Sequence, residues 1–308
     1  MPKIAVLFNP TAGKGRSARV KSKIESYLKN YAVPYNFSVT NSEAHLRALV
    51  LEKSRTHTAI IGCGGDSTVS IIIDEMMKKN VKVPLGMISS GSSNDIALEF
   101  GVETLDKACQ VLKKGTRKSI DLGAVYDGEK PIRYYIGQSN IGLGSYVAGF
   151  VEELSRKKPI LGKQQILAGF MGIRNTYKKE LHIFALSIKS PKQKINGSFM
   201  MAIFNNIKYW ATGKILDSSS KPDDGWLNCC LVKPCSKKRL IHLSRLSQQQ
   251  RLSEAPEIVF LRSKEFDIKS ENPFIIQSDG ELIGGFETPQ QFHEISFRIL
   301  PSAATFIC

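Results

Sequence analysis

The sequence predicts a doubly wound α/β domain at the N-terminus followed by a C-terminal β-sandwich domain. Three observations carry this. Residues 1–123 alternate apolar strand-like runs with helical ones, which implies a mostly parallel sheet covered by helices. From residue 124 the texture changes to β-branched and aromatic runs separated by turn signals. Three polar glycine loops, at residues 9–15, 64–68 and 89–95, each follow a predicted strand. Open α/β sheets bind ligands at that end of their strands.

In chain order, Lys3–Phe8 is a short continuous apolar run, as a central parallel strand requires. Ser17 is a candidate cap for a helix over 18–30, with Val20, Ile24, Tyr27 and Leu28 on one face. Pro34–Thr40 alternates as a second strand, and Asn41 or Ser42 caps a helix reaching Leu51. Thr58–Cys63 reads as a buried strand, Gly64–Thr68 as a turn and Val69–Met77 as a helix. Pro84–Ile88 is a fourth strand. A helix from Ile96 and another over Leu105–Lys114 complete the first half.

The second half offers strands at Tyr134–Ile136, Leu181–Ile188, Ser198–Phe204, Leu227–Val232, Glu257–Leu261, Phe266–Lys269, Phe274–Ile276 and Phe292–Leu300. Asp127-Gly128, Asn196-Gly197, Asp224-Gly225 and Asn272-Pro273 are the turn signals between them. Helices are expected over Ser145–Glu153, over Gln164–Lys178 with breaks near Gly169 and Gly172, and over Lys237–Leu246.

The chain has 308 residues, 42% hydrophobic and 23% charged, which excludes a disordered chain. Its net charge of +15 favours an acidic partner: nucleic acid, an anionic membrane or a phosphorylated substrate. The basic residues fall in short scattered groups without the basic-aromatic comb of an RNA binder, so nucleic acid is not expected. The six cysteines fit no zinc spacing, and the five histidines make no ligand pattern. No run approaches the length of a membrane span, and the N-terminus enters a strand without a signal peptide, so a cytoplasmic protein with peripheral membrane contact is expected.

Gly64-Gly65-Asp66-Ser67-Thr68 is the stretch on which function turns. A strand, a glycine turn and a helix N-terminus make a place for phosphate. Asp66 there would repel an anion unless a bridging Mg²⁺ sat between them. Asn9-Pro10 with Gly13-Lys14-Gly15, then Gly64-Gly65-Asp66, Gly91-Ser92-Ser93-Asn94-Asp95, Asp121-Leu122-Gly123 and Asp279-Gly280-Glu281 occur in that order. This ordered set resembles the diacylglycerol kinase catalytic family, in particular its soluble bacterial lipid kinases, over nearly the whole chain. Sphingosine and ceramide kinases belong to the same superfamily. One Gly-Gly-Asp alone is shared with NAD kinases and phosphofructokinases; the ordered set is specific.

The resemblance implies that the first domain binds ATP, that the β-sandwich carries the lipid surface and that the active site is the cleft between them. It puts residues 1–123, with a returning strand from about 289 to 308, in the ATP-binding domain, and 124–288 in the lipid domain. Asn9, Thr40, Gly64, Gly65, Asp66, Ser67, Thr68, Val69, Ser70, Ser92 and Glu281 match nucleotide-contacting positions. Asp66, Asp95 and Asp121 match a catalytic Mg²⁺ network, and Asp279 matches the general base. Asp224, with carbonyls from Lys221 and Trp226, resembles a structural Mg²⁺ site. Helix capping is the plain alternative for Asp95 and Asp121, and a hairpin turn for Asp279 and Asp224. The chain departs from the family at Ser67, where glycine is usual; a side chain there needs space, and a different backbone if φ is positive.

The implied activity is transfer of the γ-phosphoryl group of ATP to a hydroxyl of diacylglycerol or a similar membrane lipid, with ATP and Mg²⁺. A homodimer is left open. An NAD kinase-like enzyme with a soluble substrate, and a catalytically weakened lipid-binding regulatory protein, remain as alternatives.

Overall fold

A computed structural model describes residues 3–91, 94–157, 165–179 and 183–308. The first half builds on four parallel strands: β1 (Ile4–Phe8), β2 (Tyr35–Val39), β3 (Ile60–Gly64) and β4 (Leu85–Ser89). They lie in the order 2-1-3-4. The chain steps from β1 to one side and then crosses to the other, so the carboxyl ends of β1 and β3 form the switch point at which such sheets bind ligands. Every residue of β3 is buried, which explains its unbroken apolar sequence. Around the sheet pack α1 (Arg16–Asn30), α2 (Glu43–Ser54), α3 (Asp66–Lys78), the short α4 (Asp95–Glu99) and α5 (Leu105–Lys114).

The second half is a two-layer β structure. It contains β5 (Arg117–Asp127), β6 (Lys130–Tyr135), β7 (Gln138–Gly142), β8 (Phe184–Lys189), β9 (Lys194–Phe199) and β10 (Met201–Asn205). The short β11 (Tyr209–Trp210) and β12 (Lys214–Ile215) form a separate two-stranded sheet among the described residues. Then come β13 (Leu227–Val232), β14 (Ile258–Ser263), β15 (Glu265–Ser278), β16 (Glu281–Leu282) and β17 (Gln291–Ile307). One layer runs β14-β13-β10-β7 and ends on the last residues of β15. The other joins β9, β8, the first residues of β15, β17, β5 and β6. β15 serves both layers because its register shifts between Lys269 and Phe274. Phe204 from one layer meets Phe266 and Phe297 from the other, with Phe204 and Phe297 stacked at 3.8 Å. Helices α6 (Leu143–Lys157), α7 (Gln165–Lys178) and α8 (Lys237–Gln248) complete this half.

The end of β17 links the two halves. Its residues 304–307 pair with β5, and Phe306 lies beside Leu85 of β4 and stacks on Phe100 at 4.2 Å.

Several boundaries differ from the sequence reading. Helix α1 starts at Arg16 behind Gly15, whose φ is 85°. Ser17 therefore does not cap it; it is buried inside the helix with its hydroxyl 2.8 Å from that of Ser90. Ser42 is the residue that caps α2, accepting from the His45 N–H. Asn196-Gly197 lies within β9, and Asn272-Pro273 is absorbed by the bulged β15, because tertiary pairing overrides the local turn preference. Ser198–Phe204 divides into the end of β9 and most of β10, which runs on to Asn205. Helix α7 runs unbroken through Gly169 and Gly172. Leu181 and His182 lie outside the described residues.

Candidate active site

The switch point is built from backbone packed closely on backbone. A Cβ on Gly91 would stand 2.3 Å from the Gly65 Cα, and one on Gly64 would stand 2.3 Å from the Thr68 hydroxyl. Only glycine permits this approach of the second loop to the third. The Gly64 carbonyl accepts from the Ser90 N–H at 2.8 Å. Asn9, just past β1, donates its amide to Thr68 Oγ1 at 3.0 Å and accepts from Thr11. Thr40, past β2, is buried with its hydroxyl on the Phe8 carbonyl. Ser92 lies outside the described residues.

Helix α3 begins at Asp66, three residues before the expected Val69, so Asp66, Ser67 and Thr68 are its first turn. Gly65 precedes it and has no side chain with which to cap it. Ser67 thus has ordinary helical backbone, absent from the positive-φ residues, which removes the steric objection to a side chain there. Val69 and Ser70 are buried in the next turn.

Three aspartates hold neighbouring segments by their backbone. Asp66 accepts from the N–H groups of Asp95 (2.9 Å) and Ile96 (3.2 Å), which caps α4 from outside. Asp95 reaches into the second half and accepts from Gly213 (2.6 Å) and Thr212 (3.3 Å). Asp121 accepts from Gly225 (2.6 Å) and Ser302 (2.8 Å), while its own N–H donates to the Pro222 carbonyl. Burial, reinforced by the Asp95 charge, pushes the Asp66 carboxyl up to about 7. Burial also raises Asp95 to about 6, against the pull of its two N–H donors.

Asp279 and Gly280, with φ of 47° and 97°, form the tight turn between β15 and β16. The turn aims the Asp279 carboxylate at the strand opposite. Its Oδ1 accepts from the Gly137 and Gln138 N–H groups at 3.0 and 2.9 Å, and its Oδ2 from Ile136 at 2.9 Å. Burial raises its carboxyl despite these donors and the nearby Arg133. Among the described residues Oδ2 accepts from one backbone N–H, the Ser70 hydroxyl also favours the ionised carboxylate, and acceptor capacity remains. Glu281 is also raised by burial, with Arg133 and the Ser67 hydroxyl pulling the other way. The site thus joins the first turn of α3 to the β15–β16 turn.

The donor set fits a catalytic divalent ion only in part. Asp66 and Asp95 are carboxylates whose joint ionisation is opposed by burial and by each other, a penalty a cation relieves. Among the described residues no three His, Cys, Asp or Glu side chains form a ready metal site, so water would complete the shell. Asp121 instead fastens the Pro222–Gly225 segment and the Ser302 turn. Asp224 does not fit a structural Mg²⁺: its Oδ1 accepts from the Trp226 N–H at 3.0 Å, and its Oδ2 is ion-paired with Arg262 at 2.6 Å.

Comparison with known proteins bears on this arrangement. A family described as the diacylglycerol kinase catalytic domain matches residues 3–125, and the YegS C-terminal NAD kinase beta sandwich-like domain matches residues 149–308. The chain belongs to the diacylglycerol kinase family. Membership makes it a phosphotransferase of the lipid-kinase class. A diacylglycerol kinase of Staphylococcus haemolyticus is 23% identical over 299 residues, covering 96% of this chain and 86% of that one. One of Staphylococcus aureus is 22% identical over 300 residues, covering 96% and 90%. A crystal structure of a Bacillus anthracis diacylglycerol kinase shares the fold with a TM-score of 0.70 and 18% identity, over 99% of this chain and 96% of that one. Another structure from the same organism reaches 0.77 at 20% identity, over 99% and 95%.

Within this lipid-kinase frame, sequence reasoning missed Arg133 and Asp74. The buried Arg133 bonds Ser70 Oγ at 3.3 Å and stands 3.7 Å from Asp74, and its buried Nε has no partner among the described residues. Asp74 has no exposed surface; it accepts from the Tyr134 N–H and pairs with Arg47 and Lys78. A signal was present: Asp66, Ser70 and Asp74 repeat at i, i+4 and i+8, a polar stripe beside the apolar Val69, Ile72, Ile73 and Met76 of the same helix.

Proposed function

We propose that this chain transfers the γ-phosphoryl group of ATP to a free hydroxyl of diacylglycerol or a close membrane-lipid relative. The observation that carries the reading is the meeting of a glycine-led helix N-terminus at the switch point with a cradled, buried carboxylate, Asp279, from the opposite half. In this reading residues 1–123 with the tail from about 289 bind ATP, and 124–288 receive the lipid.

The first-turn N–H groups of α3 and the Gly64–Gly65 and Gly91 backbone receive the phosphates. Asn9, Thr40 and Thr68 line the approach, with Ser67 and Glu281 at the seam between the halves. Asp66 and Asp95 would hold Mg²⁺, which neutralises phosphate charge when bound. The lipid hydroxyl oxygen bonds to the γ-phosphorus as the bond to the β-phosphate oxygen breaks and ADP leaves. Asp279 Oδ2 accepts the hydroxyl proton. Burial makes this carboxylate a stronger base than a free one, and three N–H donors fix its direction. The +15 chain would sit peripherally on the anionic cytoplasmic face of the membrane, where ATP is available.

Phosphorylation of a lipid panel by the wild-type chain with Mg²⁺-ATP tests this. Phosphate transfer to diacylglycerol is expected; no transfer to any diacylglycerol, phosphatidylglycerol or sphingoid lipid overturns it. The NAD kinase-like description of the second half favours one other acceptor, NAD⁺. Transfer to NAD⁺ without transfer to lipid would replace the present reading.

A further inference from the structure

The family resemblance implies a divalent ion bound between the Asp224 carboxylate and the backbone of the 221–226 segment. In this chain that place holds a guanidinium. Arg262 Nη2 donates to Asp224 Oδ2 at 2.6 Å, while Asp224 Oδ1 turns back to the Trp226 N–H. The position of Arg262 follows from the sheet. β13 and β14 pair antiparallel with Asn228 opposite Arg262, so its side chain emerges beside the end of the loop. Its guanidinium carbon lies 5.3 Å from the centre of the Trp226 ring, and Lys264 Nζ lies 5.9 Å from the same ring.

The remaining fastenings of the loop also need no ion. The Pro222 carbonyl accepts from the Asp121 N–H at 2.7 Å, and the Gly225 N–H donates to Asp121 at 2.6 Å. Asp223 pairs with Lys118 at 2.9 Å. We infer that Arg262 stands in for the structural ion, holding the 221–226 loop to β14 without metal. An always-charged, planar group that bonds a carboxylate and lies over an indole suits the task. A divalent ion at Asp224 would have to displace Arg262 and would lie near Lys264, both positively charged.

The test is the melting temperature without nucleotide, in EDTA and in excess Mg²⁺, for the wild type, Asp224→Asn, Arg262→Gln and the double variant. It reads stability rather than turnover, so it stands whichever substrate is phosphorylated. Any shift caused by ions at Asp66 and Asp95 is common to all four proteins and cancels in the comparison. Equal Mg²⁺ shifts are expected in the wild type and Asp224→Asn. In Arg262→Gln an additional Mg²⁺ shift is expected, absent from the double variant. A wild-type shift larger than that of Asp224→Asn would overturn the inference, and this comparison decides even if Arg262→Gln fails to fold. An Arg262→Gln shift no larger than that of the double variant would equally overturn it.

Discussion

Replacing Asp279 with asparagine separates the two properties of this residue, its cradle and its basicity. Asn can place its amide oxygen where Oδ1 stands and keep the bonds from Gly137 and Gln138. Its amide nitrogen would then face the Ile136 N–H, so one charge-assisted bond is lost, worth about 1.5–3 kcal/mol. The substitution also removes a charge that burial opposes, which offsets part of that loss. A net cost of about 1 kcal/mol follows, or about 2 °C in melting temperature for a chain of this size. Loss of a general base costs about 10²–10⁴ in turnover. The assay pairs phosphorylation of diacylglycerol in detergent micelles with calorimetric titration of Mg²⁺-ATP. Turnover should fall at least a hundredfold while ATP affinity stays within a few-fold. Turnover within tenfold of wild type would remove Asp279 as the base; a folded chain that no longer binds ATP would refute the separation of the two halves' roles.

Other consequences are as direct. Gly91→Ala puts a methyl 2.3 Å from the Gly65 backbone, so these two glycine loops must part; a loss of about 1–3 kcal/mol in denaturant unfolding and, on the proposed reading, a weakened ATP affinity are expected. The Asp66 carboxyl, raised to about 7, is stabilising in its protonated form: that stabilisation is full below the ordinary carboxylate value and is lost as pH rises through 7. Metal-free protein should therefore lose about 3 kcal/mol from this group between pH 5 and 8, a slope that Asp66→Asn lacks in pH-dependent unfolding. Mg²⁺ should accordingly raise the melting temperature more at pH 8 than at pH 5. Arg133→Met removes a positive charge that favours ionised Asp279 and Glu281, so the acidic limb of the kcat/KM profile should move to higher pH, and Arg133→Lys should restore much of it.

The strand–helix alternation of the first half was legible because β1, β3 and β4 are largely buried and read as short apolar runs, while β2 at the edge reads by its alternation. The second half was legible in kind and less so in boundary. Nothing local joins Phe266–Lys269 to Phe274–Ile276, since the bulge that fuses them is fixed by β7, β8 and β17. Asp66 was readable as an acid in a glycine turn, but not as the external cap of α4, whose partner lies 29 residues away. Arg133 carried no motif of its own; its importance comes from the fold laying β6 across α3. The Arg262 contact was hidden for the same reason, since only the β13–β14 register sets it beside Asp224.

The Asp95 bonds to Thr212 and Gly213, and the Asp121 bonds to Gly225 and Ser302, tie distant segments by carboxylate-to-amide contacts rather than by pairs of exposed charges. Dissolved salt weakens exposed charge attraction over a Debye length of about 8–10 Å near physiological ionic strength and affects such buried contacts much less. The long-range attraction of a +15 chain to an anionic bilayer has no such shelter. If the chain works on a membrane as proposed, ionic strength is therefore a dial that turns access to that membrane while leaving these carboxylate contacts alone. A short-chain acceptor dissolved in water would not feel that dial, and a lipid held in an anionic vesicle would.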